Sequence, residues 1–210
     1  MGFKEWLVPQ DRAFFERLDR LAQLVDDAAR TYADAAARWP KRKTAASHAS
    51  ALADEAESAA DDLLDVLHHT FITPIDREDL AALAHALQGL VAAFDHATSL
   101  LHLTGLPHAP ADLAEPAALL AEQASRVADA VRLVRERTRR AKRMPAVLAH
   151  ARRLGGESRR LQRRALERVY QGANAPAMAR HAAVLDAFAQ TSAQADFAGR
   201  TLRDVLRKNG

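Results

Sequence analysis

Residues 76–103 read DREDLAALAHALQGLVAAFDHATSLLHL, and this stretch decides the fold. Leu80, Leu83, Leu87, Leu90, Val91, Phe94 and Leu101 recur every three or four residues, and Thr98 is the one polar side chain near the centre line of that face. Such spacing stacks apolar groups on one side of a helix. Asp76 suits the N-cap, and Glu78 and Asp79 place negative charge where the helix dipole favours it. The uncharged part, Leu80 to Phe94, is 15 residues long, short of the roughly 20 apolar residues a membrane span requires. This apolar face therefore belongs in a core or against a second copy of the chain.

Working outward, Phe71-Ile72-Thr73-Pro74-Ile75 interrupts helical periodicity, because proline disfavours helix in the residue before it. The preceding stretch, Thr44 to His69, is helical and separated from an earlier one, Asp11 to Trp39, by Pro40 and Lys41-Arg42-Lys43. In the earlier stretch Phe14, Leu18, Leu21 and Leu24 mark the apolar stripe. Gly105, Pro107 and Pro110 form a central break. Beyond it the pattern predicts helices over Glu115–Arg143, from Met144-Pro145 to about Gly172, and over Pro176–Lys208. No strand-like alternation persists, so the reading is an all-α bundle of six helices.

Composition agrees. Of 210 residues, 49% are hydrophobic and 5% aromatic, there are eight glycines and eight prolines, and no cysteine. Disulfides, thiolate nucleophiles and thiolate-held metals are thereby excluded. The opening Met-Gly-Phe-Lys-Glu-Trp has no signal-peptide core, so the expectation is a soluble, cytoplasmic protein. The net charge of +3 hides a division. Residues 1–110 carry 10 basic and 17 acidic side chains, and residues 111–210 carry 20 and 10. Such polarity implies an ionic partner, or two halves facing each other. A shift of 102 residues lays Leu52, Glu55 and Leu64 on Leu154, Glu157 and Leu166, but Glu57, Asp61 and Asp62 on Arg159, Arg163 and Arg164. With three helices on each side of the break, this predicts two similar halves of one domain over 1–210, about 1–106 and about 107–210.

Two charged faces stand out. Asp54, Asp61 and Asp65, flanked by Glu55, Glu57 and Asp62, line the second helix opposite Leu52, Ala56, Leu63 and Leu67. Carboxylates one turn apart can hold a hard cation, although a solvated face requires nothing more than charge. Arg152, Arg153, Arg159, Arg160, Arg163, Arg164 and Arg168 cover about half of the fifth helix, opposite Leu154, Leu161, Ala165 and Val169. Their candidate partners are phosphates of nucleic acid, anionic lipid headgroups, an acidic protein surface, or the acidic first half of the chain. Nucleic acid is disfavoured, since Tyr170 is the only aromatic on this helix available for stacking. Of the nine histidines, His85 and His96 share a face but lie about 16 Å apart along the helix, too far for one ion. No HExxH pair, glycine-rich phosphate loop or GxSxG elbow is present, so no catalytic machinery is expected.

The segment Phe71-Ile72-Thr73-Pro74-Ile75-Asp76-Arg77-Glu78-Asp79-Leu80, after an acidic helix, closely resembles the signature of PhoU-like phosphate-transport regulators. Its nearest branch is the accessory proteins of Pit-type inorganic phosphate transporters. The opening Leu7-Val8-Pro9-Gln10-Asp11-Arg12-Ala13-Phe14-Phe15 looks like that family's N-terminus, and Thr201-Leu202 with Lys208-Asn209 weakly fits its last helix. The resemblance implies two three-helix repeats and a non-enzymatic, cytoplasmic regulator, at times peripheral to the inner face of the membrane, whose partner is a Pit-type transporter. It also implies metal-binding Glu/Asp-x-x-x-Asp pairs on four helices. Here those positions read Ala53 and Glu57, then Gln88, Gly89 and Ala92, then Gly155 and Arg159, then Ala189 and Ala193 with Asp196 nearby. Glu57 is a lone survivor, so no metal or other cofactor is expected. The alternatives are a metal-binding helical bundle and an anionic-surface binder working through the fifth helix. The expected interaction motif is Phe71, Thr73, Pro74, Asp76, Arg77, Glu78 and Asp79. Within it Phe71 and Ile72 are expected to insert into the core, with Arg77 pairing locally with Glu78 or Asp79 or serving as a docking point.

Overall fold

A computed structural model describes residues 9–73, 75–108, 110, 112–135, 143–172 and 175–209, the side chains of residues 9–12, 40 and 209 excepted. Six helices follow in order: α1 (Pro9–Ala37), α2 (Arg42–His69), α3 (Arg77–Leu103), α4 (Ala114–Val134), α5 (Met144–Gly172) and α6 (Ala175–Asn209). A single 3₁₀ turn, Trp39–Lys41, joins α1 to α2. Among the described residues there is no strand, and no helix is long and apolar enough to cross a membrane.

The apolar face of α3 is core: Leu80, Leu83, Leu87, Leu90 and Phe94 are fully buried. Each such side chain is worth about 1.5–3 kcal/mol of transfer free energy. Thr98 is buried there too and donates to the Phe94 carbonyl one turn back at 2.7 Å, which removes the cost of its hydroxyl. Tyr32 of α1 meets Phe94 with ring centroids 5.8 Å apart. Its hydroxyl is buried without a protein partner among the described residues, and burial pushes its pKa up from 10.0.

α2 packs on α1 and α3, and α5 packs on α4 and α6; the first three helices meet the last three along α1–α4 and α3–α6. Trp39 ties the first turn to the central break by donating Nε1–H to the Leu106 carbonyl at 3.0 Å, while the Arg42 guanidinium covers its ring. Gly105 sits at φ +60°, the left-handed conformation that ends α3 at low cost.

One boundary differs from the sequence reading by more than two residues. The fourth helix ends at Val134 rather than Arg143, with Arg135 as its C-cap and residues 136–142 outside the described set. After Val134 no apolar residue recurs before Ala141, so the segment has no stripe to bury. The next helix starts at Met144 with Pro145 in its first turn, where the missing N–H is not needed.

Candidate functional site

Two regions gather the residues singled out by the sequence. The first is the α2–α3 turn. Thr70 closes α2 and donates to the Val66 carbonyl at 2.7 Å. Arg77, in the first turn of α3, reaches back and donates to the Thr70 carbonyl at 2.7 Å. Asp76 caps α3 by accepting from the Glu78 backbone N–H at 2.9 Å. The Asp79 side chain is 8% exposed and receives Lys208 of α6 at 2.6 Å. That hydrogen bond raises the Lys208 pKa above the ordinary lysine value. Arg77 thus clamps the turn to the end of α2, and Asp79 anchors it to the far end of the chain.

Two expectations are corrected here. Phe71 is 96% exposed and Ile72 76%, so neither enters the core. Ile75 takes that role, buried at the start of α3. The reason is geometric: with Thr70 and Ile75 both turned inward, the residues just after Thr70 are left on the outside of the bend. Pro74 lies outside the described residues. Thr73 is half-buried, and Asp76, Arg77 and Glu78 are exposed.

The second region lies between α4, α5 and α6. Arg159 donates to Asp196 Oδ2 at 2.6 Å and to Ser192 Oγ at 3.1 Å. Gln123 of α4 donates from Nε2 to Asp196 Oδ1 at 2.8 Å. Both carboxylate oxygens of Asp196 therefore receive donors from two other helices. Gly155 makes this possible, since a Cβ there would stand 2.5–2.7 Å from the Gln123 side-chain amide. The same side of α5 carries Ser158, which donates to the Pro116 carbonyl at 2.8 Å, and Gln162, which donates to the Leu185 carbonyl at 3.0 Å. Gly155, Ser158, Arg159 and Gln162 follow the i, i+3, i+4, i+7 spacing of one helix face. The inward side of α5 is thus partly polar, whereas Leu161 and Val169, expected opposite the arginines, are only half-buried.

Around this seam the arginines divide. Arg159 is inward, and Arg168 pairs with Asp112. Arg152, Arg153, Arg160, Arg163 and Arg164 are exposed and have no carboxylate partner among the described residues. Of the candidate partners, the acidic first half is not the one this face meets: α5 packs on α4 and α6, and among the described residues its carboxylate partners Asp196 and Asp112 lie in the second half. Asp54, Glu57, Asp61, Asp62 and Asp65 are likewise exposed on α2, and Glu55 pairs with Arg20 of α1. The two halves are joined instead by smaller networks. Asp26 of α1 accepts from Arg132 at 2.6 Å and from Ser125 at 2.6 Å, both on α4.

At the other positions implied by resemblance, Ala53 is half-buried and Glu57 exposed, while Gly89 and Ala193 line a shallow opening between α3 and α6 with His96. Among the described residues, no three His, Asp or Glu side chains converge as an ion would require. Sequence reasoning missed Gln123, Ser158, Gln162 and Ser192, polar side chains buried by helix packing. The Gly155-Gly156 pair inside a periodic helix was the available signal, because glycine there costs about 1 kcal/mol unless something approaches closely.

The geometry defines an all-α six-helix bundle of the PhoU-like fold. A solved PhoU-like protein from Shewanella oneidensis MR-1 superposes with a TM-score of 0.74 over 93% of this chain and 99% of its own, at 16% sequence identity. No protein-family model and no curated protein sequence matches the chain.

Proposed function

We propose that this chain is a non-enzymatic accessory protein of inorganic phosphate transport, acting by direct contact with a Pit-type transporter. The observation that carries the reading is the α2–α3 turn. The one stretch whose resemblance to the regulators is specific presents Phe71 and Ile72 to solvent on a rigid mount, held by Arg77, Asp76 and Asp79. Large apolar side chains fixed outside a core are what a partner surface uses, and loops on rigid scaffolds commonly carry contacts. The shared fold supports the regulatory class; the transporter follows from the resemblance of the motif.

The same reading makes the protein independent of a resident metal. At the fifth- and sixth-helix positions a fixed guanidinium and an amide occupy the carboxylate that a cation would need. Arg159 then supplies the positive charge itself. The test is co-purification in mild detergent of the tagged protein with the phosphate transporter of its own host, at low and moderate salt. Specific recovery at both supports the proposal; none at either, with the protein folded, refutes it.

A further inference from the structure

The basic side of α5 does not stand alone. Between the N-terminal part of α5 and the C-terminal part of α6 lies a groove of about 1180 Å³, lined by Arg152, Arg153, Arg160, Arg203 and Arg207 with apolar wall from Leu148 and Leu206. A smaller cleft of about 310 Å³ adjoins it, sharing Arg152 and Arg203 and adding Arg159 and Arg200. The acid in the groove is Glu157, and that in the cleft is Asp196, already matched by Arg159. Arg152, Arg153, Arg160, Arg200, Arg203 and Arg207 are exposed without a carboxylate partner among the described residues.

Guanidinium groups brought from two helices to one concavity repel one another, and an anion bridging them removes that cost. The planar forks match tetrahedral oxyanions, which accept paired N–H bonds, better than they match single-point anions such as chloride. The α4–α5–α6 polar seam holds the two helices in register beneath the arginines, so the backbone positions from which they rise into one concavity are fixed. We infer that the α5–α6 cleft is a binding site for a phosphate-class oxyanion, met either as inorganic phosphate or as the phosphoryl headgroup of an anionic lipid. The site stands on its own geometry and does not depend on the transporter contact at the α2–α3 turn.

The experiment is calorimetric titration of the full chain with inorganic phosphate against sodium chloride at matched ionic strength, beside flotation with phosphatidylglycerol and with phosphatidylcholine vesicles. The variant is Arg152→Gln with Arg203→Gln, both exposed and outside the Arg159–Asp196 pair; circular dichroism checks its fold, and Arg153→Gln with Arg207→Gln replaces it should it fail. Saturable binding of phosphate but not chloride, weakened about tenfold or more in the variant, identifies the free ion. Flotation with phosphatidylglycerol alone, equally weakened and without phosphate binding, identifies the headgroup. Both support the site. Binding of neither probe, equal response to chloride, or a variant that binds like the parent overturns it.

Discussion

Gly155→Ala and Gly156→Ala form a matched pair that tests the polar seam. Both glycines lie inside α5, and helix propensity alone makes alanine better at each by about 0.8–1 kcal/mol. Nothing lies within 4 Å of a Cβ at Gly156, so Gly156→Ala keeps the whole gain, raising Tm by about 2–4 °C for a domain of this size. At Gly155 the new Cβ falls 2.5 Å from Gln123 Nε2 and 2.7 Å from its Cδ, so the amide must leave. Gln123 is 1% exposed, and leaving means giving up the 2.8 Å bond to Asp196. Hydrogen bonds to charged groups contribute about 1.5–3 kcal/mol, which exceeds the propensity gain. Gly155→Ala is therefore expected to destabilise by about 0.5–2 kcal/mol. The two variants, measured by urea unfolding, should differ by about 1.5–3 kcal/mol, since their propensity gains cancel. Combining Gly155→Ala with Gln123→Ala should cost less than the sum of the two single losses, because each single variant gives up the same bond to Asp196. If Gly155→Ala stabilises as much as Gly156→Ala, Gln123 is not held where the seam requires it.

Other consequences are more direct. Tyr32→Phe should leave stability unchanged or raise it by about 1–2 kcal/mol, because it deletes a buried hydroxyl without a protein partner. Since the folded tyrosine's pKa is raised above 10.0, its contribution is complete below that pH and lost as pH rises beyond it; Tyr32→Phe should flatten alkaline unfolding followed by circular dichroism. Arg132→Ala should cost about 1–3 kcal/mol in urea unfolding, as it removes one of the two α4 donors to the nearly buried Asp26. Ile75→Ala should cost about 2–4 kcal/mol, whereas Phe71→Ser with Ile72→Ser should change thermal stability by no more than about 0.5 kcal/mol per site.

Periodicity located the core well. The apolar face from Leu80 to Phe94 is visible because a helical face that packs leaves a repeat that survives without tertiary knowledge, and the fold settles it as core rather than as a contact with a second copy. The end of α4 was less legible, since good helix formers continue past Val134 although the apolar stripe stops there. At the turn, sequence order alone did not show which apolar residue enters the core. Phe71, Ile72 and Ile75 are equally hydrophobic candidates, and the choice falls to Ile75 once the path from Thr70 to Asp76 is fixed. The seam was least visible. Gln123, Ser158 and Gln162 are ordinary surface residues in composition, and they become buried because α4, α5 and α6 bring partners from remote parts of the chain. In the sequence Arg159 stands out as one member of a basic face and Asp196 as an acid near the sixth-helix positions, and only the fold joins them, in a 2.6 Å pair.

The turn also separates stability from contact, which makes the proposed function measurable. Phe71 and Ile72 contribute little to the fold because they remain in water, so replacing them removes a surface without removing the protein. The most direct measurement is the affinity of the purified chain for its host's Pit-type transporter in lipid nanodiscs, compared with Phe71→Ser/Ile72→Ser. The account predicts saturable binding by the parent and a loss of about tenfold or more in the variant, with unchanged unfolding. Equal binding by both proteins, or no binding by the folded parent, would contradict it.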